Sequence, residues 1–518
     1  MCGILFSTNS EISQKQFDSA LKLLNHRGPD YQRSLRCNSR FSLGHTRLKV
    51  LDLNDRSNQP MLSYDKRYLI IYNGEIYNYK ELIKKFNLQV NTSGDTEVIL
   101  ELYIQQGPKF LTELNGMFAI VIFDLQTNDL FVARDRLGIK PLYYSSTKKN
   151  YIFSSEIAPI LKLIKNNEID EIGIRHYKKL RTFFNNRTLY KHISMFPAGH
   201  FFFNGKITKY WDLPDFEEVE APQEEELLSL IQSAVNYRCL ADVPVGSYLS
   251  GGLDSSIITA LSNVQNTWTV GFKDDNEFSW SKKVSKLYKT IHSSLEVTDS
   301  DFLETARSMI LQRKEPLSVP NEVLLFLMTK KVKKLNTVVL SGEGADELFF
   351  GYDRIFKFFN QNSFSLNDFD RLYSYGSFDD IEILEDVLSP FKIDSNEPIR
   401  IVSSFFQKAH LHGLLRRLDN STMLSSVEAR VPFVDHRLIE RIFPVSYSYK
   451  IRDSVAKHPL KSLAKNKNLL PSEIIYREKV GFPVNLKQVF NIQKNINPMD
   501  IWLEFNLKNL GIEYESRQ

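Results

Sequence analysis

Cysteine is scarce in this chain: Cys2, Cys37 and Cys239 are the 3 among 518 residues. Their spacing fits no metal-binding pattern, and three thiols build no disulfide framework. A disulfide-stapled secreted scaffold is thereby excluded, and a reducing, cytoplasmic setting is expected. No apolar run is long enough to cross a bilayer. The apolar start, Met1 to Phe6, is short and has no basic stretch ahead of it, so a cleaved secretory leader is not expected either. An excess of one charge is also missing. Lys and Arg number 66 against 62 Asp and Glu, a formal net charge of +4, which argues against a dedicated nucleic-acid or membrane-surface binder. There are no internal repeats and no extended low-complexity segments. What remains is an ordinary globular composition, 42% apolar, on a chain long enough for roughly two or three domains.

The first two hundred or so residues read as short β-rich segments. Phe41 to Leu48, Tyr68 to Tyr72, Phe118 to Asp124 and Asp129 to Arg134 are apolar or alternating runs bounded by Gly, Asn or Asp. Helical spacing of Phe17, Leu21 and Leu24, and of Val98, Ile99 and Leu102, predicts helices over Ile12 to Asn25 and Thr96 to Gln105. This mixture predicts an α+β layered domain over residues 1–205. Pro214 and Pro222 punctuate an acidic stretch that predicts a linker over 206–225. From residue 226 to 518 the pattern changes to strands alternating with helices. A helix is predicted over Glu224 to Cys239, a strand up to Leu249, buried strands at Thr267 to Gly271 and Thr337 to Leu340, and a helix over Val323 to Lys334. That order predicts an α/β domain with a mainly parallel sheet.

Cys2 precedes Gly3, and removal of Met1 before so small a residue would leave a thiol and a free α-amine on one residue. An α-amine titrates at about 7.7–8.0, so it can take the thiol proton without a separate histidine. Alone, Cys2 reads equally as a small buried residue. Other residues supply what such a nucleophile needs. Arg47 closes a strand and can receive a carboxylate in bidentate fashion. The Asn73 amide and the Gly74 N–H suit an oxyanion hole. Glu75 and Asp95 can bind an ammonium, although Asp95 also stands where a helix cap would.

The strings MCGI, HRGPD, GHTRL, YNGEIYN, SGDTEV, LNGMFA and ARDRLGIKPLYY occur in this order. Together they resemble the glutaminase domain of class II glutamine amidotransferases, which are N-terminal-nucleophile hydrolases with αββα layers. The resemblance implies Cys2 as nucleophile and Asn73 and Gly74 as the oxyanion hole. It implies Arg47, Glu75 and Asp95 as the grip on glutamine's α-carboxylate and α-amine, with Val50 against the substrate through its backbone.

In the second half, Ser250-Gly251-Gly252-Leu253-Asp254-Ser255-Ser256 joins a strand to a helix. Its glycines allow close backbone approach, its hydroxyls and the helix N-terminus offer donors to phosphate, and Asp254 can reach a Mg²⁺. It lacks the Lys of a Walker loop. A second glycine-rich turn, Ser341-Gly342-Glu343-Gly344-Ala345-Asp346-Glu347, follows the strand ending at Leu340, and Asp346 can share the metal. Both acids can also be read as helix-start residues. With TVGF at 269–272, SSVEARVPFVDHRLIE at 425–440 and IIYREKVGFP at 474–483, these loops resemble the pyrophosphate-loop synthetase domain of asparagine synthetases.

That resemblance implies ATP as substrate with Mg²⁺. Ser250, Gly251, Gly252, Asp254, Ser255 and Ser256 would cradle pyrophosphate, and Leu249, Val270, Ser341 and Gly342 would line the nucleotide. Glu343 and Lys479 would act on the acyl-adenylate. The implied reaction releases ammonia from glutamine at Cys2 and passes it through an apolar passage to an adenylated carboxylate. Aspartate is the default acceptor and a uronic acid the alternative. A non-catalytic relative is the reading from another class. The expected partners are small molecules, with neither nucleic acid nor membrane, and a homodimer is the general prior. Phe350 in ELFFGY stands where a second glycine is common, and Asn321-Glu322 departs from the usual acceptor-segment pattern.

Overall fold

The computed structural model describes residues 2–37, 40–147, 150–216, 219–478, 484–492 and 496–513. In the first domain two six-stranded antiparallel sheets lie face to face. One sheet runs Ser194–Met195, Tyr143–Thr147, Asn150–Ser154, Gly3–Ser7, Phe41–Arg47, Tyr31–Cys37. The other runs Lys206–Lys209, His200–Phe203, Leu130–Arg134, Gly116–Asp124, Tyr68–Ile76, Met61–Leu62. Strict alternation along each strand explains the layering. Ile4 and Phe6 meet Leu69, Ile71, Ala119, Val121 and Phe123 between the sheets. Leu5 points outward onto the helices Gln14–Leu21 and Ile157–Ile164, while Ile70, Tyr72, Ile120 and Ile122 point the other way onto helix Thr96–Gln106. Both faces of each sheet are therefore covered, as the αββα expectation requires.

The second domain is built on a five-stranded parallel sheet in the order Ile291–Glu296, Asn266–Gly271, Val245–Tyr248, Val338–Leu340, Glu428–Arg430. The two central strands end at the two glycine-rich loops, so the loops share one edge of the sheet, where open parallel sheets place ligands. A further helical layer, including Asp353–Gln361, Leu366–Tyr373 and Pro398–Phe405, packs around a separate aromatic core with Phe350, Phe356 and Phe405.

One expectation changes. Lys206–Lys209, read from sequence as the start of the linker, pairs antiparallel with His200–Phe203 as the edge strand of the second sheet. Its short, Lys-flanked sequence suits an exposed edge and carries little hydrophobic signal of its own.

The two domains are joined by apolar packing and by buried charge. Leu48, Val50, Tyr77, Met117, Leu137 and Ile139 of the first domain belong to the core of the second. Beside them Asp419 pairs with Arg27 at 2.9 Å and Lys140 at 3.5 Å, all three nearly or fully buried. Burying charge costs heavily unless it is paired, so the pairing holds the domains in one arrangement. Replacing Asp419 by Ala strands the buried Lys140 and leaves Arg27 with Glu156 alone, and is expected to cost about 3–5 kcal/mol of stability. The denaturant midpoint of the full chain checks this, with Asp419→Asn losing less.

Candidate active sites

Cys2 stands just ahead of strand Gly3–Ser7, buried where the two sheets open. Its backbone N–H donates to Asn73 Oδ1 at 3.0 Å. That bond turns the other end of the amide, Nδ2, into the space beside Cys2. Nδ2 is buried and has no partner among the described residues, which suits a donor kept for a ligand oxygen. At Gly74, the next residue, a Cβ would lie 2.1 Å from Met117 O, so only glycine fits. Burial pushes the Cys2 thiol up, opposed by the Leu48 N–H and the Arg47 charge.

Arg47 is placed differently from the open fork expected. Nη1 donates to Asn54 O and Asn58 Oδ1, both at 2.8 Å, and Nη2 donates to Leu51 O and Asp52 O. With both terminal nitrogens spent on the 51–58 loop, Nε–H is the donor left for a carboxylate, so the grip is one-pronged as the site stands. The Val50 carbonyl likewise already accepts a 2.9 Å bond from Asp242 N–H of the second domain.

Asp95 does not cap the helix it precedes. Its Oδ2 accepts from Ile76 N–H at 2.8 Å and from Tyr72 O–H at 2.9 Å. Burial lifts its carboxyl to about 6 against those donors. Glu75 is raised well above the carboxylate range by burial and by Glu428 and Asp95, against the pull of Arg430, whose Nη2 lies 3.6 Å from Glu75 Oε1. Two buried acids short of positive charge are what an incoming ammonium would satisfy.

At the second site, Gly251 adopts φ +73°, and a Cβ there would meet the Trp280 carbonyl carbon at 2.5 Å. Ser250 Oγ receives the Gly252 N–H at 3.2 Å and touches Ser255 Oγ at 3.2 Å, while Ser256 Oγ is buried without a partner among the described residues. The second loop abuts the first, since a Cβ on Gly342 would lie 3.1 Å from Asp254 Cβ. Leu249 and Val270 are buried on adjoining strands, and Ser341 at the strand end is buried as well.

Asp254 and Asp346 do converge, but on a residue that sequence reasoning missed. Lys457 Nζ lies 2.5 Å from Asp254 Oδ2 and 2.7 Å from Asp346 Oδ1. Its only sequence signal is a Lys ahead of a helix, 203 residues from Asp254. Lys479, the lysine singled out from sequence, lies outside the described residues.

Glu343 pairs with Arg417 at 3.2 Å. Glu347 is buried, and burial together with Asp346 and Glu343 lifts it to about 8. Its Oε1 accepts from Tyr352 O–H at 2.7 Å, Tyr352 in turn meets His410 Nε2 at 3.1 Å, and Oε2 has no partner among the described residues. Phe350 takes a left-handed φ of +58°, held by stacking 4.0 Å from Phe356 and by Lys450 Nζ 4.4 Å above its ring. Glu322 is consumed structurally, by Arg313 at 2.8 Å and the Ser318 N–H at 2.5 Å. The 425–440 signature forms the domain seam: Ser426 Oγ donates to His26 O, Arg430 faces Glu75, and Asp435 accepts from Asn115.

Comparison with known proteins assigns a family to each domain. Residues 1–211 match the family described as a glutamine amidotransferase domain, and residues 226–499 match the family described as asparagine synthase. A Methanocaldococcus jannaschii protein, provisionally named a glutamine-hydrolysing asparagine synthetase 2, is 36% identical over 68% of this chain and 76% of its own length. Asparagine synthetase 3 of Bacillus subtilis is 29% identical over 93% and 87%. Asparagine synthetase B of Escherichia coli is 27% identical over 93% and 82%.

Lys457 generates a test of stability independent of activity. In Lys457→Met the two acids face each other without a cation. The variant's denaturant midpoint is therefore expected to fall, with Lys457→Arg, which keeps the charge, losing less.

Proposed function

The chain belongs to the asparagine synthase family, with a glutamine amidotransferase domain ahead of the synthetase, and on that premise we propose that it amidates aspartate with ammonia drawn from glutamine at Cys2. It is a glutamine-hydrolysing ligase that forms a C–N bond at the expense of ATP. No helix among the described residues is long and apolar enough to cross a membrane.

The observation that carries the first half is Asn73, whose Oδ1 is tied to Cys2 and whose Nδ2 waits unpartnered. The Cys2 thiolate, formed by proton transfer to its own α-amine once Met1 is removed, attacks the side-chain amide carbon of glutamine. Asn73 Nδ2 and Gly74 N–H receive the oxyanion. Arg47 Nε–H takes the α-carboxylate, and Glu75 and Asp95 take the α-ammonium. Ammonia leaves, and water hydrolyses the glutamyl thioester to glutamate. Leu48, Val50, Met117, Leu137 and Ile139, packed into the second domain's core, support an apolar crossing in which ammonia stays unprotonated.

In the second domain an acceptor carboxylate oxygen attacks the α-phosphorus of ATP, and pyrophosphate leaves. Ammonia then attacks the acyl carbon and AMP departs. Ser250, Ser255, Ser256 and the N-terminus of helix Leu253–Leu261 hold the pyrophosphate. Lys457 Nζ supplies positive charge between the loops. Asp254 and Asp346 are hard oxygen donors, and Asp254 Oδ1 is buried without a partner among the described residues, a set that fits Mg²⁺. The metal would supply neutralisation of phosphate charge there.

Aspartate is favoured over a uronate by the Arg417 guanidinium and the unpartnered Glu347 oxygen. A zwitterion can give its α-carboxylate to the first and its ammonium to the unpartnered oxygen of the second. A uronate offers hydroxyls and only the carboxylate that reacts.

A coupled assay tests the reading. Glutamate, AMP, pyrophosphate and asparagine are expected together, with no AMP when glucuronate replaces aspartate. Cys2→Ala is expected to lose glutamate release and keep the ammonia-driven reaction; loss of both would count against two sites. Binding adds a pH signature. Glutamine's ammonium needs Asp95 ionised, and that group is lifted to about 6. By calorimetry on Cys2→Ala, glutamine affinity is expected to weaken towards about tenfold per unit as the pH falls below that value.

A further inference from the structure

Asp242 belongs to the second domain, in the turn between helix Glu224–Arg238 and strand Val245–Tyr248. The far end of that strand carries Leu249 and the pyrophosphate loop. Yet both polar ends of Asp242 are spent on the first domain. Its backbone N–H donates to Val50 O at 2.9 Å, and its Oδ2 accepts the Asp52 N–H at 2.8 Å. One residue thus brackets Leu51 from either side.

The loop it grips is the one that holds Arg47. Asp52 sits at φ +43°, a left-handed conformation that a non-glycine residue keeps only when its surroundings impose it. Its carboxylate gathers Ser57 Oγ at 2.8 Å, Ser93 N–H at 2.9 Å and Arg56 Nε at 3.1 Å, and its carbonyl receives Arg47 Nη2. Ser93 is two residues from Asp95. Asp52 therefore ties together the carboxylate-binding and ammonium-binding sides of the first site. The turn bearing Asp242 is anchored in turn: Arg430 Nη1 donates to Leu240 O at 2.6 Å and Arg238 O at 2.9 Å, and Arg430 Nη2 reaches towards Glu75.

We infer that Asp242 is a positioning residue for the glutamine site, supplied by the synthetase domain and acting on Arg47 through Asp52. The inference rests on the proposed binding of glutamine beside Cys2. Without the Asp242 carboxylate, the Asp52 N–H loses a charged acceptor, the 51–58 loop is free to relax, and the carbonyls that aim Arg47 lose their register. The reacting atoms at Cys2 are untouched, so the deficit falls on glutamine binding.

The experiment compares wild type, Asp242→Ala and Asp242→Asn as full chains, with glutamate release and ammonia-driven AMP release measured on each. In Asp242→Ala the KM for glutamine is expected to rise about tenfold, equivalent to about 1.4 kcal/mol. The change in kcat at saturating glutamine should be much smaller, and the ratio of glutamine-driven to ammonia-driven rate at low glutamine should fall accordingly. Asp242→Asn keeps an oxygen that can accept the Asp52 N–H and is expected to recover most of the affinity. An unchanged KM in a folded Asp242→Ala overturns the inference. So does a parallel loss of glutamine-driven and ammonia-driven rates that Asp242→Asn fails to rescue, because that pattern is general damage. Wild-type protein that releases no glutamate, or Cys2→Ala that still releases it, overturns the glutamine-site reading itself and the inference with it.

Discussion

Arg430 is the cation around which the two halves of this molecule close. It is fully buried, and a buried guanidinium is tolerable only if its donors are met by acceptors and its charge by carboxylates. Glu428 meets Nε at 2.5 Å, the Arg238 and Leu240 carbonyls take Nη1, and Glu75 of the other domain stands beside Nη2. Tyr77, also from the first domain, lies under the guanidinium at 5.5 Å. The strand that presents Arg430 is an edge strand of the synthetase sheet, paired with the strand that ends in the Ser341 loop. A single side chain therefore fixes the geometry of the domain seam, the surroundings of Glu75 and the edge of the sheet that carries both glycine-rich loops.

The same constraint shapes the chemistry. Glu75 and Asp95 are held above the ordinary carboxylate range chiefly by burial, to which the Glu428 charge at the seam adds. Across the molecule, Glu347 is lifted for a related reason, by burial beside Asp346 and Glu343. Each site thus holds buried carboxyls that the ammonium of its proposed substrate would favour in the ionised form. Lys457 shows the opposite solution. Between Asp254 and Asp346 the protein provides its own ammonium, which offsets part of that pair's charge before any ligand arrives. Stored imbalance makes a pocket selective for an ammonium, whereas an internal cation keeps a phosphate site from repelling its anionic ligand.

Much of this was legible in the sequence, for a physical reason. Strand and helix periodicities are local, and Tyr68–Ile76, Gly116–Asp124 and Thr96–Gln106 emerge close to where the apolar spacing places them. The catalytic strings are equally local: Cys2 needs only its own amine, Asn73 and Gly74 are adjacent, and the pyrophosphate loop is one continuous turn. What escaped were pairings closed by tertiary contact. Lys457, Asp419 and Asp242 look like surface charges on any linear reading, because their partners lie far away along the chain. The edge strand Lys206–Lys209 escaped for the converse reason, as an exposed edge has no buried face to pattern its residues. Arg47 reads from sequence as a free fork and is not one, since the loop carbonyls that occupy it have no sequence signature at all.

Two departures from the usual family pattern show how such a site tolerates change. Glu322 looked like an altered acceptor contact, yet it is spent on Arg313 and two backbone donors, the Ser318 and Val319 N–H groups. Phe350 replaces a glycine at a left-handed position and would strain the loop bearing Asp346 if nothing held it. Stacking on Phe356 and the Lys450 ammonium above its ring hold it there, and aromatic stacking of this kind contributes about 0.5–1.5 kcal/mol beyond area burial. That gain is comparable to the cost of about 1–3 kcal/mol for a strained non-glycine residue. Backbone freedom lost at the loop is thus replaced by side-chain contacts in the aromatic layer behind it. The position of Asp346, and through it Lys457, then depends on that aromatic packing core.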